Sequence, residues 1–514
     1  MINKQGMLKT AGFMAVATLL AKMCGLARET LIAAYFSTGY EGTAYLTATQ
    51  LPMTLFDIVI GGVISASFIP IFNDILEKKD KKAAMDFANR FICMIMLITV
   101  LITVFGIVFA DGLIYLMAPK FDAKTHDLAA TLSSVMFPLV IFTGLAFSFV
   151  GILQTFGEFN IPAIMSLISN LAIIAYFPIF GTKFGVYGLS VAMLFSWSLQ
   201  VFVQIPSLKK FGFSLKPTVK IWNEDIKRAL LLAGPMLIST WVQPLYSIVN
   251  TRIASGIDGA VPILNYANRL YIVVTGVFSF VVTNLVFPKM SRANSAEDIG
   301  ESNSLIVTSL KAVTMVILPI MAIFIILSGP IIKVIYDHGK FDALGQTAIV
   351  LSCYSVGMIG MSVNEVLSKS FFSMKNSKTP MINAVISMVF NIALAYTLSK
   401  PLKTGGLALA TAGGSIMNAS LNYICMRRRR GVLFEKKDRL DLAKTVSAAL
   451  AAAAIIAAIY MPFAKVFMSD WKMSLLGGVL CSAAGILVYG AILLFTKESD
   501  LAEIIGRRRK HDKG

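Results

Sequence analysis

The sequence predicts an all-α polytopic membrane protein: fourteen transmembrane helices, as two parallel-related six-helix lobes plus two extra C-terminal helices. Three observations carry that prediction. The 514-residue chain is 56% apolar and only 14% charged, with mean hydropathy +0.75. Apolar runs near or above twenty residues recur from end to end, each long enough to cross a ~30 Å hydrocarbon core as a helix. Strand-like alternation is absent, and in lipid a helix satisfies its own backbone groups.

A further observation is an internal repeat of 218 residues. Pro70 recurs as Pro288, Pro162 as Pro380, Gly188-Leu189 as Gly406-Leu407, and Ala192 as Ala410. The surrounding stretches are alike too, as in "NIPAIMSLISN" and "KTPMINAVISM". Repeated halves are a common way for transporters to build a central site with alternating access.

Taken in order, the first span is 10–36. It carries Lys22, Arg28 and Glu29 in its middle and no small-residue cleavage site, so it reads as a mature helix rather than a signal peptide. The next five are 43–75, 88–117, 126–154, 161–180 and 184–206. The second half supplies 228–253, 262–288, 303–333, 345–372, 379–399 and 405–426, and the unrepeated pair is 440–463 and 473–496. Several begin or end at Pro or Gly, where a helix is expected to stop.

Six spans per half is an even number, so both halves insert in the same orientation. The organisation expected is an N-lobe at 1–212, an amphipathic linker at 213–227, a C-lobe at 228–430, and the added helices with a basic tail at 431–514. In the linker region Phe211, Phe213, Ile221 and Trp222 are candidates for the membrane interface.

The net charge of +18 is a topology signal before it is anything else. Numbering loops alternately, one side collects 31 Lys and Arg, span edges included, and the other 9. Basic loops stay in the cytoplasm, so both termini are expected there, in a plasma membrane. Nucleic acid is not an expected partner. Five scattered cysteines have no metal or redox spacing, and His126, His338 and His511 fall in predicted loops or the tail. No P-loop, dinucleotide fingerprint or nucleophile elbow occurs. No cofactor or resident metal is expected, and a transporter is favoured over an enzyme.

Charges inside spans cost roughly 2.5–3.5 kcal/mol each on insertion scales and need a partner, a watery cavity or a function. Besides the three in the first span, Asp57 falls in the middle of the second, Arg252 ends the seventh, Arg269 begins the eighth, and Glu365 and Lys369 pair i to i+4 in the tenth. One reading makes Arg28–Glu29 and Glu365–Lys369 structural pairs, with Arg252 snorkelling to the interface. The other makes Lys22, Arg28 and Arg269 a cationic site for an anionic, phosphate-bearing substrate. Lys22 and Arg28 lie about 9 Å apart along the helix and would lean toward one vestibule. Asp57 would offset charge, carry a proton, bind a cation or pair with Lys22.

Around these residues the chain resembles the MurJ/MviN family, the lipid II flippases of the multidrug/oligosaccharidyl-lipid/polysaccharide exporter superfamily. The stretches are "AKMCGLARETLIAAYFSTG", "QLPMTLFDIVIGGVISASFIPIF", "NYANRLYIVVTGVFSFVVTNLVFPKMSR", and "SMKNSKTP" with its downstream "GGLALATA". The resemblance implies translocation of the undecaprenyl-diphosphate-linked peptidoglycan precursor from inner to outer leaflet. It implies two six-helix lobes around a cationic cavity, with the last two helices forming a groove for the polyprenyl tail. It matches Arg28, Glu29 and Arg269 to family positions; with Lys22 and Asp57 these are the expected substrate-binding residues. Lys22 stands where relatives often carry arginine, and Phe56 stands where another is expected. The family's sodium site matches Asn391 and Thr411 and, in part, Asn250, while Ala395 stands where an acid would help. Partners expected are the lipid-linked precursor and membrane lipids, with the chain acting as a monomer driven by membrane potential, sodium or protons. A flippase for another polyprenyl-linked oligosaccharide and a cation-coupled drug exporter are the alternatives.

Overall fold

The computed structural model describes residues 4–181, 183–282 and 286–496, and every regular element among them is helical. The basic run Arg507–Lys510 and His511 lie outside the described residues.

Helix occupies each predicted span. The first is α1 (Lys4–Phe36), and the second is α2 (Tyr40–Val59), a π-helical turn (Ile64–Phe68) and α3 (Ile69–Lys78). Then come α4 (Lys81–Val108) with α5 (Ala110–Met117), α6 (Ala123–Met136) with α7 (Leu139–Thr155), α8 (Asn160–Phe180), and α9 (Gly185–Phe202) with α10 (Ile205–Lys210). The second copy begins with α11 (Glu224–Thr240) and α12 (Val242–Ala254), followed by α13 (Ala260–Val281) and α14 (Phe287–Ser295). Next are α15 (Ile299–Ile326) with α16 (Ser328–Tyr336), and α17 (Leu344–Ser355) with α18 (Met358–Ser373). The chain closes with α19 (Lys378–Arg430), α20 (Lys436–Phe467) and α21 (Trp471–Phe495). Among the described residues eight helices are long and apolar enough to cross a membrane, nine if α6 and α7, bent by 41°, form one span.

The repeat is written in the backbone as well as in the sequence. Gly157 and Lys375, 218 apart, both have positive φ (77° and 57°), as do Gly185 and Lys403 (52° and 48°). Ile64–Phe68 is a π-helical turn, and Val282 and Val286, at the same spacing, adopt that wide turn too. The cause is local: Pro70 and Pro288 follow, and proline supplies no N–H and crowds the carbonyl four residues back.

Lys403 (φ 48°, ψ −125°) interrupts α19 and folds it back on itself, so that Asn391 reaches the Ala410 carbonyl and Asn383 reaches Asn422. A side chain there is strained by about 1–3 kcal/mol, whereas the first copy uses glycine. Lys403→Gly is therefore expected to raise stability by about 1 kcal/mol, after the extra freedom glycine gives the unfolded chain. Thermal unfolding in detergent measures it; a lower melting temperature would contradict the strain.

The chain forms two compact units, Met1–Pro262 and Ile263–Gly514. In the first, α1 packs on α8, α2 on α6 and α12, and Phe68, Phe72, Phe87 and Phe91 form a buried aromatic core. In the second, α18 packs on α19, and α15 packs on both α18 and α20. Where α18 crosses α19 the contact is glycine to backbone: a Cβ on Gly360 would lie 2.6 Å from the Ile416 nitrogen. Small residues let backbones approach where lipid supplies no hydrophobic drive between helices.

Loops that the alternation assigns to one side meet one another. In the first unit Lys79 pairs with Asp225, Arg228 with Asp74, and Phe156 stacks on Phe211. On the other side Arg252 donates to the Leu116 carbonyl and Lys124 lies over the Tyr40 ring. In the second unit Lys333 donates to the Met468 carbonyl, joining two loops assigned to that second side.

Two local expectations are corrected. Phe213 is buried beside Phe149 rather than placed at an interface, because the linker is pinned to α4 by Lys216 N–H on Asn89 and Thr218 N–H on Cys93; Trp222 remains exposed. His126 lies in the first turn of α6, bonded to Asp111 at 2.8 Å, rather than in a loop.

Candidate substrate site

In the first unit α1 runs unbroken through Lys22, Arg28 and Glu29. Arg28 is turned toward α8, where its Nη1 donates to Asn170 Oδ1 (3.0 Å), while Nη2 donates to Glu29 Oε1 (2.5 Å). Asn170 returns Nδ2 to the Ala21 carbonyl (3.3 Å), and Gly25 leaves room for that amide beside α1. Glu29 is 2% exposed, and among the described residues the buried Arg28 Nε meets no acceptor. Burial in low dielectric makes such a pair sensitive to loss of either partner. Asn170 was not among the sequence-derived candidates: a lone Asn in an apolar run is ambiguous until its neighbour helix is known.

Lys22 is half-buried and does not join this network. Six residues at 3.6 per turn leave two side chains about 120° apart around the helix, so the expectation that Lys22 and Arg28 lean together is corrected. Nor does Lys22 pair with Asp57: among the described residues neither makes an ion pair or a side-chain hydrogen bond. Asp57 is in the middle of the second span, in the last turn of α2 and exposed, just before the backbone break that leads to the π-helical turn. A carboxylate there opposes the helix dipole, so local helix energetics do not explain it.

Phe56, where a cation was expected, is 5% exposed and stacks near Phe147 (6.3 Å). Its position faces the unit's core, so an arginine there would need a buried counter-charge. The end of α2 is tied to α12 by Trp241 Nε1 on the Ile58 carbonyl (2.6 Å). Gln50 bonds Ser247, and Thr251 Oγ1 donates to Gln50 Oε1 at 3.3 Å. Asn250 lies on α12 within this unit.

In the second unit Arg269 occupies the exposed face of α13, opposite the buried Tyr266, Ala267 and Leu270. Asn391 and Thr411 serve the α19 hairpin: Asn391 Nδ2 bonds the Ala410 carbonyl (2.8 Å) and Thr411 Oγ1 the Leu407 carbonyl (3.0 Å). Buried Ala395 supplies no ligand atom beside them. Glu365 and Lys369 do form their i to i+4 pair, at 3.9 Å, with Lys369 also over Phe287 and Phe372. Arg252 is exposed and bonded to a carbonyl, as a snorkelling residue would be.

One charged group in the second unit was missed altogether. Lys311 on α15 is 5% exposed and lies between Asp441 (3.0 Å) and Asp438 (3.3 Å) of α20, with Lys444 3.6 Å from Asp441. In sequence these residues read as span-edge charges; only packing brings them together.

A protein-family model described as lipid II flippase MurJ matches residues 32–477. The lipid II flippase MurJ of Burkholderia cenocepacia is 28% identical over 436 residues, covering 83% of this chain and 84% of that one. The probable lipid II flippase MurJ of Rickettsia prowazekii is 28% identical over 489 residues, 94% and 96% of the two chains. Among solved structures, a lipid II flippase MurJ in an inward closed conformation superposes with TM-score 0.80 at 26% identity, covering 94% of this chain and 99% of that one. An inward-facing multidrug resistance MATE family transporter shares the fold at TM-score 0.68 and 18% identity, covering 82% and 98%.

Proposed function

The chain belongs to the MurJ family of lipid II flippases, and from that premise we propose that it carries lipid II across the bacterial inner membrane by alternating access. It is a multi-pass membrane transporter, and its substrate is the lipid-linked peptidoglycan precursor. The observation that carries the reading at residue level is Arg28. A guanidinium is held on two sides by Glu29 and Asn170, yet among the described residues its buried Nε meets no acceptor. A diphosphate oxygen is an acceptor of the right chemistry, since guanidinium binds phosphate through charge-assisted bonds.

Glu29 cancels most of Arg28's net charge, so Lys22 supplies the mobile positive charge of α1. Arg269 is the corresponding contact from the second unit, and Asp57 limits the positive potential. The polyprenyl tail lies along α20 and α21, and both termini are cytoplasmic, a reading supported by the bias of basic residues among the loops. The chain acts as a monomer. Lipid II is an anion, so an inside-negative potential favours its outward movement by up to ~2.3 kcal/mol per charge per 100 mV; any sodium or proton coupling adds to that.

The test is leaflet-resolved measurement of lipid II in cells depleted of this protein. Accumulation in the inner leaflet is expected, and collapsing the membrane potential should slow transport in depleted cells rescued by the wild-type chain. An unchanged leaflet distribution would transfer the assignment to another polyprenyl-linked cargo.

A further inference from the structure

The second unit contains a polar pocket of about 810 Å³ where the end of α14, the turn after α18 and the end of α19 converge. Its lining combines Lys375, Arg429 and Arg430 with Asn294 and Ser373, and one acid, Glu297. Part of it is already braced. Arg430 Nη2 donates to Asn294 Oδ1 (2.6 Å) and Nε lies 3.3 Å from Met374 Sδ, while Asn294 Nδ2 donates to Ser373 Oγ (2.8 Å). Lys375 and Arg429 are exposed and, among the described residues, make no ion pair or side-chain hydrogen bond.

The first unit provides an internal comparison, because the same junction recurs 218 residues earlier. There Arg429 corresponds to Phe211, Met374 to Phe156 and Lys375 to Gly157. Phe156 and Phe211 stack at 5.3 Å, Phe72 meets Phe156 edge-on at 5.9 Å, and the aromatic rings fill the junction. Lys375 keeps the left-handed backbone that Gly157 uses, bearing its strain while placing an ammonium at the pocket. One copy of this junction is plugged with aromatics, and the other is open and lined by cations.

We propose that this pocket binds a phosphate-bearing ligand, through Lys375 and Arg429 with Arg430 and Asn294 as the fixed wall. Three cations against one carboxylate leave the lining net positive, and adjacent guanidinium groups suit phosphate oxygens. Burial, and then the neighbouring Arg429, hold the Arg430 guanidinium below its ordinary pKa, a cost that a bound anion would relieve. Phosphate of this kind comes either from the headgroup of an anionic phospholipid or from a soluble phosphate compound. The site stands apart from the cargo assignment, since every residue in it lies outside the candidate substrate site.

The experiment uses the full-length protein and two double variants that remove equal charge. Lys375→Gly with Arg429→Gln alters the pocket and restores the first copy's glycine, so folding should be preserved. Arg427→Gln with Arg428→Gln alters the same basic run outside the lining. Phosphatidylglycerol retention against phosphatidylcholine is read by native mass spectrometry, and inorganic pyrophosphate binding by calorimetry. The pocket variant should weaken one or both probes about tenfold, the loss of about 1.4 kcal/mol of contact, while the control stays within about twofold. Loss confined to phosphatidylglycerol identifies a headgroup site, and loss confined to pyrophosphate a soluble ligand. Equal weakening in both variants, or none in the pocket variant, overturns the proposal. Lipid II transport assayed in parallel reports on the cargo independently.

Discussion

Arg28→Ala should abolish rescue of a flippase-depleted cell and also destabilise the protein, and the two effects can be separated. Removing the guanidinium leaves Glu29, 2% exposed, without its 2.5 Å partner. Stranding a buried charge typically costs about 3–5 kcal/mol, so a simple loss of function would be ambiguous. The compensated variant Arg28→Ala with Glu29→Gln removes both charges together. Its melting temperature in detergent should return most of the way to wild type while rescue stays absent. Rescue by that double variant would make the pair structural and remove Arg28 from the substrate site. Arg269→Ala is the companion measurement: transport should be lost, with the melting temperature read alongside to separate loss of function from loss of fold.

Lys311→Ala is expected to be the most destabilising single change in the second unit, again by about 3–5 kcal/mol. It removes the 3.0 Å partner of Asp441, which is 2% exposed, and leaves Lys444 at 3.6 Å. Lys311→Met with Asp441→Leu replaces the buried pair by apolar groups and should recover most of the lost stability. A single variant with an unchanged melting temperature would show that the α15–α20 contact does not depend on these charges. The same network governs how the tail-groove role is tested. Deleting 435–514 removes Asp438 and Asp441, the two carboxylates paired with buried Lys311, so the deletion must carry Lys311→Met. Normal lipid II transport by that folded, truncated chain would end the groove assignment.

The candidate site was partly legible in sequence because charges inside apolar helices are expensive. That cost singled out Arg28 and Glu29 without any coordinates. It did not reveal Asn170, whose amide looks like ordinary helix-packing polarity until α8 is laid against α1. The helix end beside Asp57 was hidden for a different reason: the apolar run continues through the break after Val59, so hydropathy could not locate it. Lys311 was invisible because its two carboxylates lie about 130 residues away.

What the sequence determined alone was the helical class, the order of the apolar segments, and the 218-residue repeat. Those follow from local physics: apolar length, proline, glycine, and the demand of lipid that every backbone group be satisfied within its own segment. Tertiary structure decided which charge meets which, that Phe56 and Phe213 turn inward, and that one copy of a repeated junction is filled by phenylalanine while the other opens as a basic pocket. Those are matters of side-chain direction and long-range packing, where residues far apart in the chain set each other's dielectric and partners.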